Sequence, residues 1–150
     1  MAKIVIIGAG AMGTAFALPC LDNNHDINIV GTHLENDFIE ELKNNNNLHP
    51  GLNTQIPQEI KIFKFEKFEE LLKSNVDLIV LGISSKGIEW VSDQLSKLYK
   101  DNAIPKLLML TKGLSIYNNK YELLVDKLER LLADRGIKKV DISAVGGPCL

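Results

Sequence analysis

Eleven residues near the amino terminus, KIVIIGAGAMG from Lys3 to Gly13, constrain the fold more than any other stretch of the chain. Ile4, Val5, Ile6 and Ile7 are consecutive apolar residues, the pattern of a strand covered on both faces, as in the interior of a parallel sheet. The glycines that follow, Gly8, Gly10 and Gly13, have the GxGxxG spacing. Gly8 permits a tight turn out of the strand, Gly10 lacks the Cβ that would hold a pyrophosphate off the backbone, and Gly13 lets the next helix lie close on the sheet. The free N–H groups of that helix's first turn then face an anion, and a nucleotide phosphate is the expected occupant. A cofactor-free α/β turn could use the same glycines. The preceding strand, the helix-compatible run after it and a second strand at the right distance favour the dinucleotide reading.

Strand and helix alternate along the rest of the chain. The run TAFALPCLDNN after Gly13 reads as a helix, with Pro19 expected to kink or loosen it. A second strand spans Ile27 to Gly31 and a helix spans about Glu35 to Lys43. NNNNLHPGLN interrupts that helix as a loop, either a surface excursion or one folded toward the cofactor edge. Ile60 to Phe63 forms a third strand, with a short helix at Phe65, Phe68, Leu71 and Leu72. Val76 to Leu81 is the fourth strand, GISS its turn, and Gly87 to Tyr99 a helix. A fifth strand at Leu107 to Leu110 leads into TKGLS, and apolar spacing of three and four predicts a helix over Asn119 to Arg135, capped by Gly136. Val140 to Val145 is the sixth strand. The expected architecture is one domain over residues 1–150, an α/β doubly wound parallel sheet in three α/β/α layers with strand order 3-2-1-4-5-6.

GAGAMG, GISS, TKGL and GGPCL all follow strands at the C-terminal edge of that sheet, where ligands bind in open α/β folds. Lys112, in TKGL, stands where an ammonium would hold a phosphate or a carbonyl oxygen, although a solvent-facing loop lysine would occupy the same position. Ser84 and Ser85 are placed either to donate hydrogen bonds to a nicotinamide or ribose, or to cap their turn. The second strand ends at Gly31, Thr32 and His33, the expected adenosine-ribose position. No carboxylate stands there to repel the extra phosphate of NADP, and Glu35 and Asp37 read as first-turn helix residues; NADP is slightly favoured, while the lack of an arginine keeps NAD open.

Seventeen basic and nineteen acidic residues are mixed throughout, for a net charge of −2, which gives no basic face for nucleic acid. No apolar run reaches bilayer length, and Cys20 and Cys149 stand far apart, so a reduced, cytoplasmic protein without membrane association is expected. No histidine has neighbours at metal-ligand spacing, and no serine sits in a nucleophile motif.

GAGAMGTAFA, HPGL, GISS, TKGL and GGPCL, in this order, resemble the N-terminal half of NAD(P)-dependent glycerol-3-phosphate dehydrogenases, and the archaeal branch more than the common bacterial one. The resemblance implies a Rossmann fold followed by a mostly helical substrate domain that lies outside this chain. It also implies interconversion of dihydroxyacetone phosphate and sn-glycerol 3-phosphate with NAD or NADP. By resemblance, Ala11 and Met12 touch the dinucleotide, Thr32 stands at the ribose, and Lys112 contacts both cofactor and substrate. Gly147 and Cys149 fall on a substrate-binding turn in which cysteine departs from the usual serine or threonine. No general base can be assigned here, since the family's lysine belongs to the second domain; a small phosphorylated substrate and a homodimer of the full-length protein are expected. A reductase of the ketopantoate type and a non-catalytic NAD(P)-binding module are the competing readings.

Overall fold

The computed structural model describes residues 1–147. In chain order it contains β1 (Lys3–Ile7), α1 (Ala11–Asp22), β2 (Asp26–Val30), α2 (Asn36–Asn44), β3 (Leu48–His49), β4 (Thr54–Gln55), β5 (Lys61–Phe63) and α3 (Phe68–Lys73). These are followed by β6 (Leu78–Leu81), α4 (Ile88–Leu98), β7 (Lys106–Met109), β8 (Leu114–Tyr117), β9 (Lys120–Leu123), α5 (Leu124–Asp134) and β10 (Ile142–Ala144). Six strands form one sheet in the order β10-β7-β6-β1-β2-β5, and every neighbouring pair is parallel. With these six strands numbered in chain order and the sheet read from the β5 edge, this is the expected 3-2-1-4-5-6.

The alternation of side chains along β1 explains why three layers form. Val5 and Ile7 belong to an apolar cluster that also includes Leu72 of α3, Val91 and Leu95 of α4 and Leu128 and Leu132 of α5. Ile4 and Ile6 point the other way, into a cluster with Ala17 of α1 and Ile39 and Leu42 of α2. A strand apolar at every position can be buried only between two helical layers. Across one layer, the Tyr99 hydroxyl after α4 donates to the Leu72 carbonyl at 2.6 Å, and burial pushes its pKa up to about 12.

Pro19 does not end α1, which runs through it to Asp22. Pro19 and Ala15, whose carbonyl it leaves without a helical donor, both lie on the exposed side of the helix. The asparagine-rich segment is not an unstructured loop. Asn46, Asn47 and Asn53 take left-handed backbone angles and fold the chain into the short antiparallel hairpin β3–β4.

The largest departure from expectation lies after TKGL. The helix predicted from Asn119 begins at Leu124 instead, and residues 114–123 form the hairpin β8–β9. Asn118 and Asn119 sit between the paired Tyr117 and Lys120 with φ of 49° and 59°, as a two-residue turn with positive φ at both positions requires. The hairpin is fastened to α5 through its polar face. Arg130 donates two hydrogen bonds to the Glu122 carboxylate, at 2.8 and 3.0 Å, and its guanidinium lies 3.8 Å from the Tyr117 ring centre. The opposite face carries the cross-strand pairs Leu114 with Leu123 and Ile116 with Tyr121, all exposed. Among the described residues no helix is long and apolar enough to cross a membrane.

Candidate functional site

Helix α1 starts on the glycine motif itself. Gly10 is its N-cap, no side chain caps it, and its first turn carries no acidic residue. The first bond back into the helix is Thr14 N–H to the Gly10 carbonyl at 3.0 Å, so the N–H groups of Ala11 and Met12 are left for an outside acceptor. Aligned peptide dipoles add partial positive charge at this end, which makes it an anion cradle.

Close backbone packing holds that cradle against the sheet. Gly8 has φ of +104°, and a Cβ there would lie 2.6 Å from the Gly82 carbonyl oxygen. A Cβ on Gly13 would lie 2.7 Å from the Gly8 oxygen, and one on Gly82 would lie 2.9 Å from Gly13 Cα. Three glycines therefore interlock, and Gly82, at the end of β6, is the member that the GxGxxG spacing does not include. Gly10 differs from all three, because a Cβ there meets nothing within 4 Å. Its open side is where a pyrophosphate would approach.

Beside Gly10 opens a cavity of about 560 Å³ lined by Thr32 and His33 after β2, Ile83 and Ser84 after β6, and Trp90 on α4, among others. Its lining is mainly apolar. The His33 ring lies 5.1 Å from Trp90, which in turn packs against Phe65 and Phe68. Trp90 sits partly buried in this aromatic wall, a role the helix periodicity around it does not reveal.

Glu35 is placed differently from expectation. It stands at the N-cap of α2 but caps nothing there; its carboxylate turns back to accept the Ala9 N–H at 3.0 Å and the Thr32 N–H at 2.7 Å. Asp37 does occupy the first helical turn. The HPGL segment folds toward the glycine motif rather than away from it. Gly51 packs near the Ala11 Cβ, and His49 Nε2 lies 3.1 Å from the Ala9 carbonyl oxygen.

A second cavity, of about 320 Å³, lies at the same sheet edge between the ends of β7 and β10. Thr111, Lys112, Gly113, Leu123 and Gly147 are among its walls. A Cβ on Gly147 would lie 3.1 Å from the Lys112 Nζ, which puts those two expected residues side by side. The structure thus gathers Gly10, Thr32, His33 and Ser84 at one cavity and Lys112 and Gly147 at the other. Gly8 and Gly13 support the turn from behind, Ala11 and Met12 open α1 on its exposed side, and Ser85 begins a short 3₁₀ turn outside both cavities. Cys149 lies outside the described residues. A hydrogen bond from Thr111 Oγ1 to the Ile83 carbonyl, 2.6 Å, ties the rims of the two cavities together. Among the described residues no group of three or more His, Cys, Asp or Glu could hold a metal ion. The His25 Nδ1 accepts the Ala2 N–H at 3.1 Å, at the opposite edge of the sheet, which is a structural role.

Comparison with known proteins agrees with this geometry. The chain is 29% identical over 147 residues to the NADP(+)-dependent glycerol-3-phosphate dehydrogenase of Archaeoglobus fulgidus, and 31% identical over 149 residues to the glycerol-3-phosphate dehydrogenase [NAD(P)+] of Fusobacterium nucleatum. These alignments cover 98% and 99% of the chain, which spans 41% of the length of each relative. The crystal structure of glycerol-3-phosphate dehydrogenase from Coxiella burnetii superposes with a TM-score of 0.75 at 23% identity, over 99% of this chain and 42% of that one, a likeness of fold. The family described as NAD-dependent glycerol-3-phosphate dehydrogenase N-terminus matches residues 3–150. A ketopantoate-type reductase is thereby set aside, and the chain belongs to the N-terminal part of the NAD-dependent glycerol-3-phosphate dehydrogenase family.

Proposed function

We propose that this chain is the cofactor-holding part of a glycerol-3-phosphate dehydrogenase that reversibly converts dihydroxyacetone phosphate to sn-glycerol 3-phosphate with NADH or NADPH. The observation that carries the reading is the uncapped start of α1 at Gly10, with space for a pyrophosphate above it and a 560 Å³ cavity beside it, in a chain of this family. The residues present fit the dinucleotide. The N–H groups of Ala11 and Met12 would hold its pyrophosphate, Thr32 and His33 its adenosine ribose, and the Trp90 wall its adenine.

When bound, the nicotinamide supplies or accepts the hydride. Ser84 stands at the cavity rim to orient the ring or its ribose, while Lys112, at the second cavity, polarises a carbonyl and holds a phosphate rather than taking a proton. Gly147 offers a backbone N–H to the same substrate, and Cys149 is assigned to it on the sequence pattern alone. The proton on the alcohol oxygen falls to a base in a second, helical domain. The exposed apolar face of the β8–β9 hairpin beside the Lys112 cavity supports a domain seated there. A cytoplasmic homodimer acting on a small phosphorylated substrate, without a membrane partner, belongs to the same proposal, and the net charge of −2 with mixed signs supports the absence of a nucleic-acid partner.

On this division of labour the 150-residue chain binds cofactor but does not turn over. Following NADH absorbance with dihydroxyacetone phosphate present should show no oxidation above the uncatalysed rate. Clear phosphate-dependent oxidation would place the whole reaction within this chain.

A further inference from the structure

Ala9, between the first two glycines of the motif, is held on both of its polar groups by side chains from outside the motif. Its N–H donates to Glu35 Oε1 at 3.0 Å. Its carbonyl lies 3.1 Å from His49 Nε2 and accepts from Thr14 Oγ1 at 3.2 Å. The other Glu35 oxygen takes the Thr32 N–H, so one carboxylate joins the glycine turn to the end of β2. Because the Ala9 carbonyl can only accept, His49 must carry its proton on Nε2.

His49 is 3% exposed, and its Nδ1 has no hydrogen-bond partner among the described residues. Burying a ring nitrogen without a partner costs stability, so this histidine is not placed to strengthen the core. Its ring packs edge-on to Phe38 at 5.4 Å, and a Cβ on Gly51 would come within 3.3 Å of its Cε1. The ring is therefore fixed in orientation, and Nε2 with it. The β3–β4 hairpin thus serves as a strap whose one buried donor ends on the glycine turn.

We infer that Glu35 and His49 are positioning residues for the pyrophosphate: by gripping Ala9 from its two sides they set the peptide planes on either side of it, and so the direction of the Gly10 N–H and the placement of the helix start that presents the N–H groups of Ala11 and Met12. The inference rests on the dinucleotide reading above. A donor array set before binding needs no reorganisation when the ligand arrives, and that advantage is lost when a supporting partner is removed.

The test uses the full 150-residue chain with His49→Leu, His49→Gln and Glu35→Gln. Leu keeps similar bulk without a donor, whereas Gln can present an amide N–H near the Nε2 position. Titration with NADH should show affinity lowered about tenfold in His49→Leu and largely restored in His49→Gln. The melting temperature of His49→Leu should move by no more than about 4 °C, because loss of the bond is offset by loss of the unpartnered nitrogen. Glu35→Gln, which can accept only one of the two N–H groups well, should also weaken binding. In the ligand-free chain, the amide resonances of Ala9, Gly10 and Ala11 should shift in His49→Leu and return in His49→Gln. Unchanged affinity and resonances in His49→Leu, or a His49→Gln variant no better than Leu, would overturn the clamp. Failure of the unsubstituted chain to bind NADH would overturn the functional reading alone, and the amide resonances would then decide the clamp.

Discussion

Gly82 and Gly10 separate two uses of glycine that a motif alone merges. The substitution Gly82→Ala would put a methyl group 2.9 Å from Gly13 Cα, in a place where neither backbone can yield cheaply. It should destabilise the chain by about 1–3 kcal/mol, seen as a lower urea midpoint with an unchanged m-value; an unchanged midpoint would show that the interlock is loose. Gly8 and Gly13 were legible as parts of this contact because the GxGxxG spacing names them. Gly82 carried no such signal, since its role depends on β6 lying beside β1, which only the folded sheet supplies. Glu35 was misread for a related reason. Acidic residues favour the first turn of a helix, and the competing attraction, two backbone N–H groups at the ends of β1 and β2, is visible only in three dimensions.

Among the elements, β1 and β6 were legible because burial on both faces leaves uninterrupted apolar runs, the shorter or mixed β2, β5 and β10 because they recur between helices and turns, and α4 because one face repeats at helical spacing. The β8–β9 hairpin was lost to the same logic. Tyr121 and Leu124 fit the helical spacing of α5, whereas the pair Asn118-Asn119 between IY and KY was the turn signal that should have outweighed it. The hairpin's attachment has a definite pH dependence. Arg130 holds the Glu122 carboxyl below its ordinary range by hydrogen bonding, with Ser115 adding a further bond. A carboxylate whose folded pKa is depressed stabilises the fold above its unfolded value and stops doing so as pH falls through the folded value. On acid titration below the usual carboxylate range, the amide resonances of β8 and β9 should therefore change before those of β1 and β6. The Glu122→Gln substitution should give the same hairpin spectrum at neutral pH. Simultaneous loss of all strands would contradict this order.

At the scale of the whole molecule, the sheet places two cavities along one edge and joins their rims through Thr111 and Ile83. The cavity beside Gly10 brings together, among the described residues, an uncapped helix start, an open glycine and an aromatic wall, the features the proposed dinucleotide site calls on. The second cavity sets Lys112 and Gly147 beside an apolar hairpin face, and is the end proposed for the substrate. Sequence alone reached this edge through four glycine-bearing turns, but not its division into two cavities, which follows from the strand order: one lies at the ends of β1, β2 and β6, the other at the ends of β7 and β10. The central claim, that the Gly10 cradle receives a dinucleotide pyrophosphate, is tested most directly by titrating the unsubstituted chain and Gly10→Ala with NADH and NADPH, following nucleotide fluorescence. The account predicts saturable binding of at least one of the two, and loss of at least about tenfold in affinity in Gly10→Ala with an unchanged urea midpoint, since the added Cβ meets only the space meant for phosphate. Absence of binding, or binding indifferent to the Gly10 substitution, would contradict it.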